Sequence, residues 1–539
     1  MGSKLSKLEA AAYWTLPSLL CLLIYWPGLK AWFLQDDFAW LGLRLGIWDM
    51  SDFWRAMFSP MAQGTIRPWS ERGYFLLFEK MFGLDALPFR IWAFLTQFAN
   101  LVLLTAIVRK VTGSRTAGFL APIFWLANHG LVSPMSWSSS YNQILCSCFL
   151  LTGFYLFLRH IETGKNSYYV AQWITFVLGF GALELNIVYP ALLAAYAILC
   201  APKYFWKTLP MFVVSGAYYL LHSRLAPTQT EGVYAMHWDP ASLWLTFRTY
   251  ALWAINITRL KVIGWKHPTI SSWSAAILLI GLVAFLVWKA WKGNRFGVFC
   301  LAWFVIVLAP LLPLRDHLTD YYLMIPSIGL SMLLAWALAD MWDRGLTVGL
   351  LTFFIAGTYL ASGVALAHTA TVWQYERSVQ VRNLVWGVEN ARQRHPKSII
   401  LLKDVDSLVF WSSLADSVFR VIGIKDVYLT PDSLQRIDPH PELADLNEFA
   451  LPAALTAKVL QNGTAVVYDA SGGPLRNITS VYEHTFLASY TPQLTRRVEP
   501  GNPLFDHQLG EGWYPLEVDH RRNPQRTSCR GPPDGGSKN

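Results

Sequence analysis

Apolar runs long enough to enter a bilayer recur through the first two thirds of this 539-residue chain, and no other feature limits its fold so tightly. They run from Ala10 to Leu34, Leu87 to Val108, Ala117 to Val132, Ile144 to Leu158, Tyr168 to Leu183 and Ile187 to Leu199. Others follow at Leu209 to Leu221, Ser271 to Val287, Phe296 to Leu312, Tyr321 to Leu338 and Leu346 to Ala367. Hydrocarbon leaves backbone N–H and C=O groups no partner but one another, so runs of this kind become helices. Several fall short of the ~20 residues that a perpendicular span needs, so packing in a bundle must carry them. The expected fold is an all-α polytopic membrane protein of about 11 transmembrane helices. The first run is too long for a cleaved leader and has no small-residue cleavage pattern before Gln35, so it reads as a retained anchor.

The charge balance supports this reading. Lys and Arg number 44 against 35 Asp and Glu, a net +9. In a soluble protein that excess raises the question of nucleic acid, but no basic stripe interleaved with stacking aromatics is present. Instead Lys4 and Lys7, then Arg109, Lys110 and Arg115, then Arg159 and Lys165, then Lys203 and Lys207 fall on every second loop. That is the positive-inside pattern with a cytoplasmic N-terminus. The 26 Trp and 23 Tyr suit interfacial belts. Five of the six Cys lie in apolar runs or at their ends, while Cys529 stands alone in a polar stretch, so neither a disulfide framework nor a zinc site is indicated.

After Leu221 charge counting stops discriminating. Arg259, Lys261 and Lys266 precede one run and Lys289, Lys292 and Arg295 follow it, so one cluster lies on the outer face in either arrangement. If the moderately apolar stretch from Ala241 to Leu260 lies along the surface, the region after about His368 shares the side of Asp36; if it crosses, that region is cytoplasmic. From about Thr369 charges become frequent. A helix-like stretch from Val372 to Arg394 precedes strand candidates at Ser398 to Leu402, Asp426 to Leu429 and Ala465 to Tyr468, which makes a small soluble α/β domain. The expected organisation is a membrane domain over 1–367 with an outer loop at 35–87, a soluble domain over 368–519, and a disordered basic tail over 520–539.

Asp36 and Asp37 arrive at the far surface at the end of the first run, where membrane enzymes place acid and base groups. The loop after them is too long for a passive turn and holds Trp40, Trp48, Phe53, Trp54 and Arg67-Pro68-Trp69. Such a loop folds onto the membrane surface as amphipathic helices. Taken alone, the acidic pair reads equally well as a solvated helix terminus.

Five segments in fixed order change that balance: QDDF at 35–38, the stretch from Ile66 to Leu104 that opens IRPWSERG, FWLANHGLVSPMSW at 124–137, ALELNIVYP at 182–190 and LPLRDHLTDYYLMIPSIGL at 312–330. Together they resemble the polytopic glycosyltransferases of the C superfamily (GT-C), and most nearly the dolichyl-phosphate-mannose O-mannosyltransferases and their bacterial relatives, over about residues 10–367. By this resemblance the first carboxylate of the pair, Asp36, is the catalytic one. Arg67-Pro68 matches the family's Arg-Pro, and Leu183-Glu184 keeps the acid of its Lys-Glu while losing the base. Asp320, Tyr321, Tyr322 and Leu323 to Ser327 follow its late Glu-Arg-Tyr-Leu-Tyr-x-Pro-Ser pattern without the Arg, whose place Arg315 or His317 takes. Tyr141 and Gln143 stand where relatives carry Arg and Asp, so the acceptor and any divalent metal are left open.

The chemistry makes sense of these residue types. Inverting transfer from a polyprenyl-phosphate sugar needs a carboxylate to take the acceptor hydroxyl's proton, and Asp36 is the candidate base, with Asp37 orienting the loop or sharing the role. The leaving lipid phosphate needs preplaced cations or donors. Arg67, Arg315 and His317 are the candidates, beside Tyr321 and Tyr322 along the lipid groove. Each has a plain alternative: a loop cap for Arg67, an ion pair with Asp316 or Asp320 for Arg315, a satisfied interfacial imidazole for His317. Glu184, an acid between apolar runs, faces either a cavity or a helix partner. His129 and His222 read as structural. The expected protein is thus an inverting hexosyl- or pentosyltransferase of a bacterial inner membrane, with its site and C-terminal domain outside the cytoplasm, acting on a glycan, lipid or protein acceptor. A transporter or flippase of a lipid-linked substrate is the competing class, although the long outer loop has no task in alternating access.

Overall fold

The computed structural model describes residues 2–60, 65–227, 232–256, 269–441 and 443–494, with side chains from residue 7 onward, from 276 in the fourth segment and up to 490 in the last. The side chain of Lys4, the cluster Arg259, Lys261 and Lys266, the stretch 495–519, Cys529 and the tail over 520–539 lie outside the described residues.

Each of the expected apolar runs has most of its length on a helix, although several run on past the helix end. Among the described residues, Lys7–Leu29, Ala86–Thr112, Ser138–Thr163 and Leu346–Arg394 are long and apolar enough to cross a membrane by length and composition, and shorter apolar helices lie between them. Local sequence explains the boundaries. The Asp85 carboxylate caps the Ala86–Thr112 helix at Leu87 N, and Gly113 ends it at φ +70, a left-handed turn that glycine adopts without strain. Ser114 then caps Arg115–Leu126 at once, so two helices pack back to back across a tight turn.

The bundle has a basic end. Tyr13, near the start of the first helix, donates to the Arg115 carbonyl; Lys110 pairs with Glu162 at 2.6 Å; Lys207 reaches His160. Arg295 acts on Cys200 and therefore sits at this end too, which places the cluster after the Thr269–Trp291 helix with the other basic loops. Asp36, Arg67, Glu184 and Asp320 gather at the opposite end.

One helix settles where the C-terminal region goes. Leu346–Arg394 has 49 residues, a length of roughly 73 Å at 1.5 Å per residue and more than twice a ~30 Å hydrocarbon core. It runs parallel to the first helix: His368 Nδ1 meets the Ile24 carbonyl, and Ser378 Oγ accepts from Trp32 N at 3.0 Å. Its second half therefore leaves the bundle at the Asp36 end. The composition changes near residue 369 because this helix emerges there, not because it stops. The Pro240–Ala254 helix, spanning roughly 22 Å, is tied to that same end at both extremities, by Arg315 to Ser242 and by Asn128 to the Ala254 carbonyl. It lies along the face rather than through the bundle.

The C-terminal domain carries strands at the three expected places: β1 (Ile399–Lys403), β2 (Val427–Leu429) and β3 (Ala465–Asp469), with a short β4 (Arg476–Asn477). The order is β2-β1-β3-β4, parallel except for the β3–β4 pair, with Ile400 opposite Val427 and Leu402 opposite Tyr468. Strand alternation divides its core. Ile400, Leu402, Val427, Leu429 and Val466 join the main core, while Leu401 and Val467 face Leu455, Val459 and Tyr482 on the other side.

Candidate active site

The acidic pair sits on a turn that begins with Gln35 at φ +50 and opens the short Asp37–Gly42 helix. Its two members have different surroundings. Asp37 is fully buried: one oxygen accepts from Ser139 N at 2.7 Å and Ser139 Oγ at 2.6 Å, the other from Leu34 N at 3.0 Å. Burial pushes its pKa up to about 6, opposed by the nearby Arg90 guanidinium and by those donors. Asp36 is only half-buried and does not cap the helix. Its charge reaches Tyr234 and Tyr321, whose phenols are raised first by burial.

Arg67 is placed by the segment it belongs to. Trp69 N donates to the Gly181 carbonyl at 2.9 Å, the Trp69 indole N–H to the Leu178 carbonyl, and Ser70 Oγ to the Ala182 carbonyl at 2.6 Å. A Cβ on Gly181 would fall 2.0 Å from the Trp69 indole nitrogen, so glycine is what lets the two segments touch. The contact brings Arg67 Nε to both oxygens of Glu184, at 2.9 and 3.0 Å, and Arg67 Nη1 to Glu71 at 2.5 Å. Glu71 is held further by Thr65 at 2.7 Å and Asn142 at 3.2 Å. His222 lies 3.5 Å from Glu184, an ion-pair distance rather than a short hydrogen bond. Burial alone would raise the Glu184 carboxyl; Arg67 and His222 outweigh it and hold the pKa at about 2.

Tyr321 and Tyr322 lie on the 3-10 turn Asp320–Leu323, ahead of the Ser327–Trp342 helix rather than within a span. Their rings stand edge to face at 4.8 Å, and Tyr321 packs on Trp137, whose indole bonds the Leu34 carbonyl beside the acidic pair. Asp320 pairs with His129 at 3.0 Å and accepts from Ser133. Asp316 pairs with His237 at 2.7 Å. Arg315 therefore takes neither ion pair weighed for it. It is exposed and donates to Ser242 Oγ at 3.2 Å, and among the described residues no carboxylate lies within 4.0 Å of it. The His317 ring lies tilted against Tyr234 at 4.4 Å and edge to face with Tyr322 at 5.8 Å, and burial lowers its pKa below the ordinary imidazole value, which favours the neutral form at pH 7.

Tyr234 ties the parts together, because it feels both the Asp36 and the Arg67 charge; burial chiefly raises its pKa to about 12. Asp36, Arg67, Glu184, His317, Tyr321 and Tyr322 thus form one neighbourhood, with Arg315 at its edge beside Ser242. Two further groups come from the C-terminal region. Gln35 N donates to the Ser412 carbonyl at 2.8 Å, and Arg377 donates to Ser412 Oγ. The Asp416 carboxyl is raised well above the usual range by burial and by Asp36 and Asp37, against the pull of Arg377. Sequence reasoning missed Tyr234, Arg377 and Asp416, which no local pattern marks. Among the described residues no group of three His, Cys, Asp or Glu side chains is arranged to hold a metal ion.

No family model matches the chain, and no curated protein is similar to it. Among solved structures it is similar to the oligosaccharyltransferase of Archaeoglobus fulgidus, crystallised with a tethered acceptor peptide, at 11% identity and TM-score 0.48 over 85% of this chain and 68% of that one. It is also similar to ArnT from Cupriavidus metallidurans bound to undecaprenyl phosphate, at 14% identity and TM-score 0.45 over 89% and 94% of the two chains, and to the apo form of that protein at TM-score 0.44. At these scores the likeness is one of outline.

Proposed function

We propose that this chain is an inverting glycosyltransferase that moves a sugar from a polyprenyl-phosphate donor to an acceptor hydroxyl at the membrane face bearing Asp36. The observation that carries the reading is the division of labour in the acidic pair. Asp37 is fully buried with its oxygens bonded by Ser139 and Leu34, while Asp36 is half-buried beside the Tyr234 and Tyr321 phenols. A fully buried carboxylate is closed to an acceptor and holds a loop; a half-buried one next to polar aromatic groups can be reached by a hydroxyl and take its proton.

Asp36 accepts the acceptor's hydroxyl proton as that oxygen bonds to the sugar's anomeric carbon, and the carbon–oxygen bond to the lipid phosphate breaks with its electron pair leaving on phosphate. The developing phosphate charge is met by Arg315, which donates to the Ser242 hydroxyl and feels the Asp239 carboxylate only beyond ion-pair contact, and by the neutral His317 as a donor. Arg67 has a different task. Glu184 and Glu71 already neutralise it, so it fixes the loop over the site more than it attracts an anion. The face is taken as extracytoplasmic because the basic loops lie at the other end. Transfer from a radiolabelled undecaprenyl-phosphate sugar by purified protein tests the reading. Turnover with a soluble nucleotide sugar in lipid-free detergent would overturn the donor class.

A further inference from the structure

The C-terminal sheet has a place where ligands collect for geometric reasons. From β1 the chain moves out to β2, then returns past β1 to β3, so its direction reverses between β1 and β3. The loops at the carboxyl ends of those parallel strands diverge, and the crevice between them is open by construction. Here the crevice is a groove of about 320 Å³, lined after β1 by Val405, Asp406, Leu408 and Val409 and after β3 by Ala470 to Gly473. Its third wall is the emerging half of the Leu346–Arg394 helix, which presents Trp373, Glu376, Arg377, Gln380 and Asn383 at helical spacing. That volume lies at the small end of the ~300–1,000 Å³ range of ligand pockets.

We propose that this groove binds a saccharide unit of the acceptor. The proposal rests on the transferase reading for the word acceptor, and on the groove alone for the saccharide. A sugar hydroxyl both donates and accepts, and its best partners are planar groups that do likewise. Gln380 and Asn383 do both, Glu376 and Asp406 accept, and Arg377 donates. Gly472 and Gly473 bring backbone groups to the rim with no side chain in the way. Trp373, with Arg377 over its ring at 5.5 Å, supplies a flat surface for the C–H face of a pyranose. Two carboxylates against one guanidinium disfavour an anionic ligand. Arg377 also donates to Ser412, whose carbonyl holds Gln35 N next to Asp36, so an occupant of the groove touches a group wired to the acidic turn.

The test is direct binding of the full chain in detergent, without donor, to an array of immobilised neutral and acidic oligosaccharides and of short peptides. A neutral oligosaccharide should be retained, and Gln380→Ala and Asn383→Ala should each weaken it at least tenfold with the thermal midpoint unchanged. Asp36→Asn should bind as wild type does while losing transfer, which separates this reading from the transfer reaction: wild-type protein that binds but transfers no sugar counts against the proposed function and not against the groove. Undecaprenyl phosphate alone should not compete. No retention at millimolar oligosaccharide, retention indifferent to both groove substitutions, or selective retention of peptides overturns the proposal.

Discussion

Replacing Glu184 by Gln keeps the side chain's shape and removes one charge from the Arg67 network. The structure gives the size of the effect. Two short contacts from Arg67 and the neighbouring His222 hold the carboxyl at about 2 instead of its ordinary 4.5. At ~1.4 kcal/mol per pH unit that difference is worth roughly 3 kcal/mol at pH 7. The Glu184 side chain keeps 25% of its exposure, so screening by solvent makes this a ceiling, and a loss of about 2 to 3 kcal/mol is expected. A depressed carboxylate stabilises the fold fully above its ordinary pKa and loses that contribution as pH falls toward its folded value. By the same linkage less than half of it remains at pH 3. Thermal or guanidinium unfolding of wild type and Glu184→Gln in detergent, at pH 7 and pH 3, reads the difference. The gap between the two proteins should shrink by more than half at the lower pH. A gap of equal size at both would mean that Glu184 acts by packing, and the electrostatic account of Arg67 would fail.

Asp36→Asn should cost about 10² to 10⁴ in transfer rate and leave the unfolding midpoint in place, since loss of a general base has that magnitude; wild-type turnover would remove Asp36 from the reaction. Asp37→Ala should do the reverse, lowering the midpoint by stranding Ser139 and the Leu34 amide. Arg315→Ala should raise the apparent KM for lipid-linked donor by about 10- to 100-fold, the equivalent of roughly 1.5 to 3 kcal/mol for a charge-assisted contact to phosphate; an unchanged KM would pass that contact to another group. In intact cells a membrane-impermeant thiol reagent should label Cys529 and spare the exposed Cys200 at the basic end until the membrane is broken. The opposite pattern would invert the topology.

The helices were legible because hydrophobic length is a local property: each apolar run needs only its own residues to become a helix in lipid. Strands β1, β2 and β3 were legible for a similar reason, as short apolar runs bounded by polar turns. What the sequence left open was direction. Charge counting between residues 241 and 295 balances either way, and the matter turns on contacts it cannot see: Ser378 with Trp32, His368 with Ile24, and both ends of the Pro240–Ala254 helix on one face.

Within the site the limit is sharper. Asp36 and Asp37 are the same residue type in adjacent positions, and nothing in their spelling says which one is committed to structure. The distinction comes from Ser139, about a hundred residues later in the chain, whose amide and hydroxyl both reach Asp37 and bury it. Arg67 shows the same effect with opposite outcome. Its charge suggested a phosphate partner, yet Gly181 admits Trp69 so closely that Arg67 lands between Glu184 and Glu71. A guanidinium already shared by two carboxylates gains little from a third anion and loses well-formed bonds to reach it. The more available cation is then Arg315, bonded to the Ser242 hydroxyl with Asp239 beyond ion-pair contact, so the donor's phosphate is expected on the Ser242 side of the site, beneath the loop carrying Arg67.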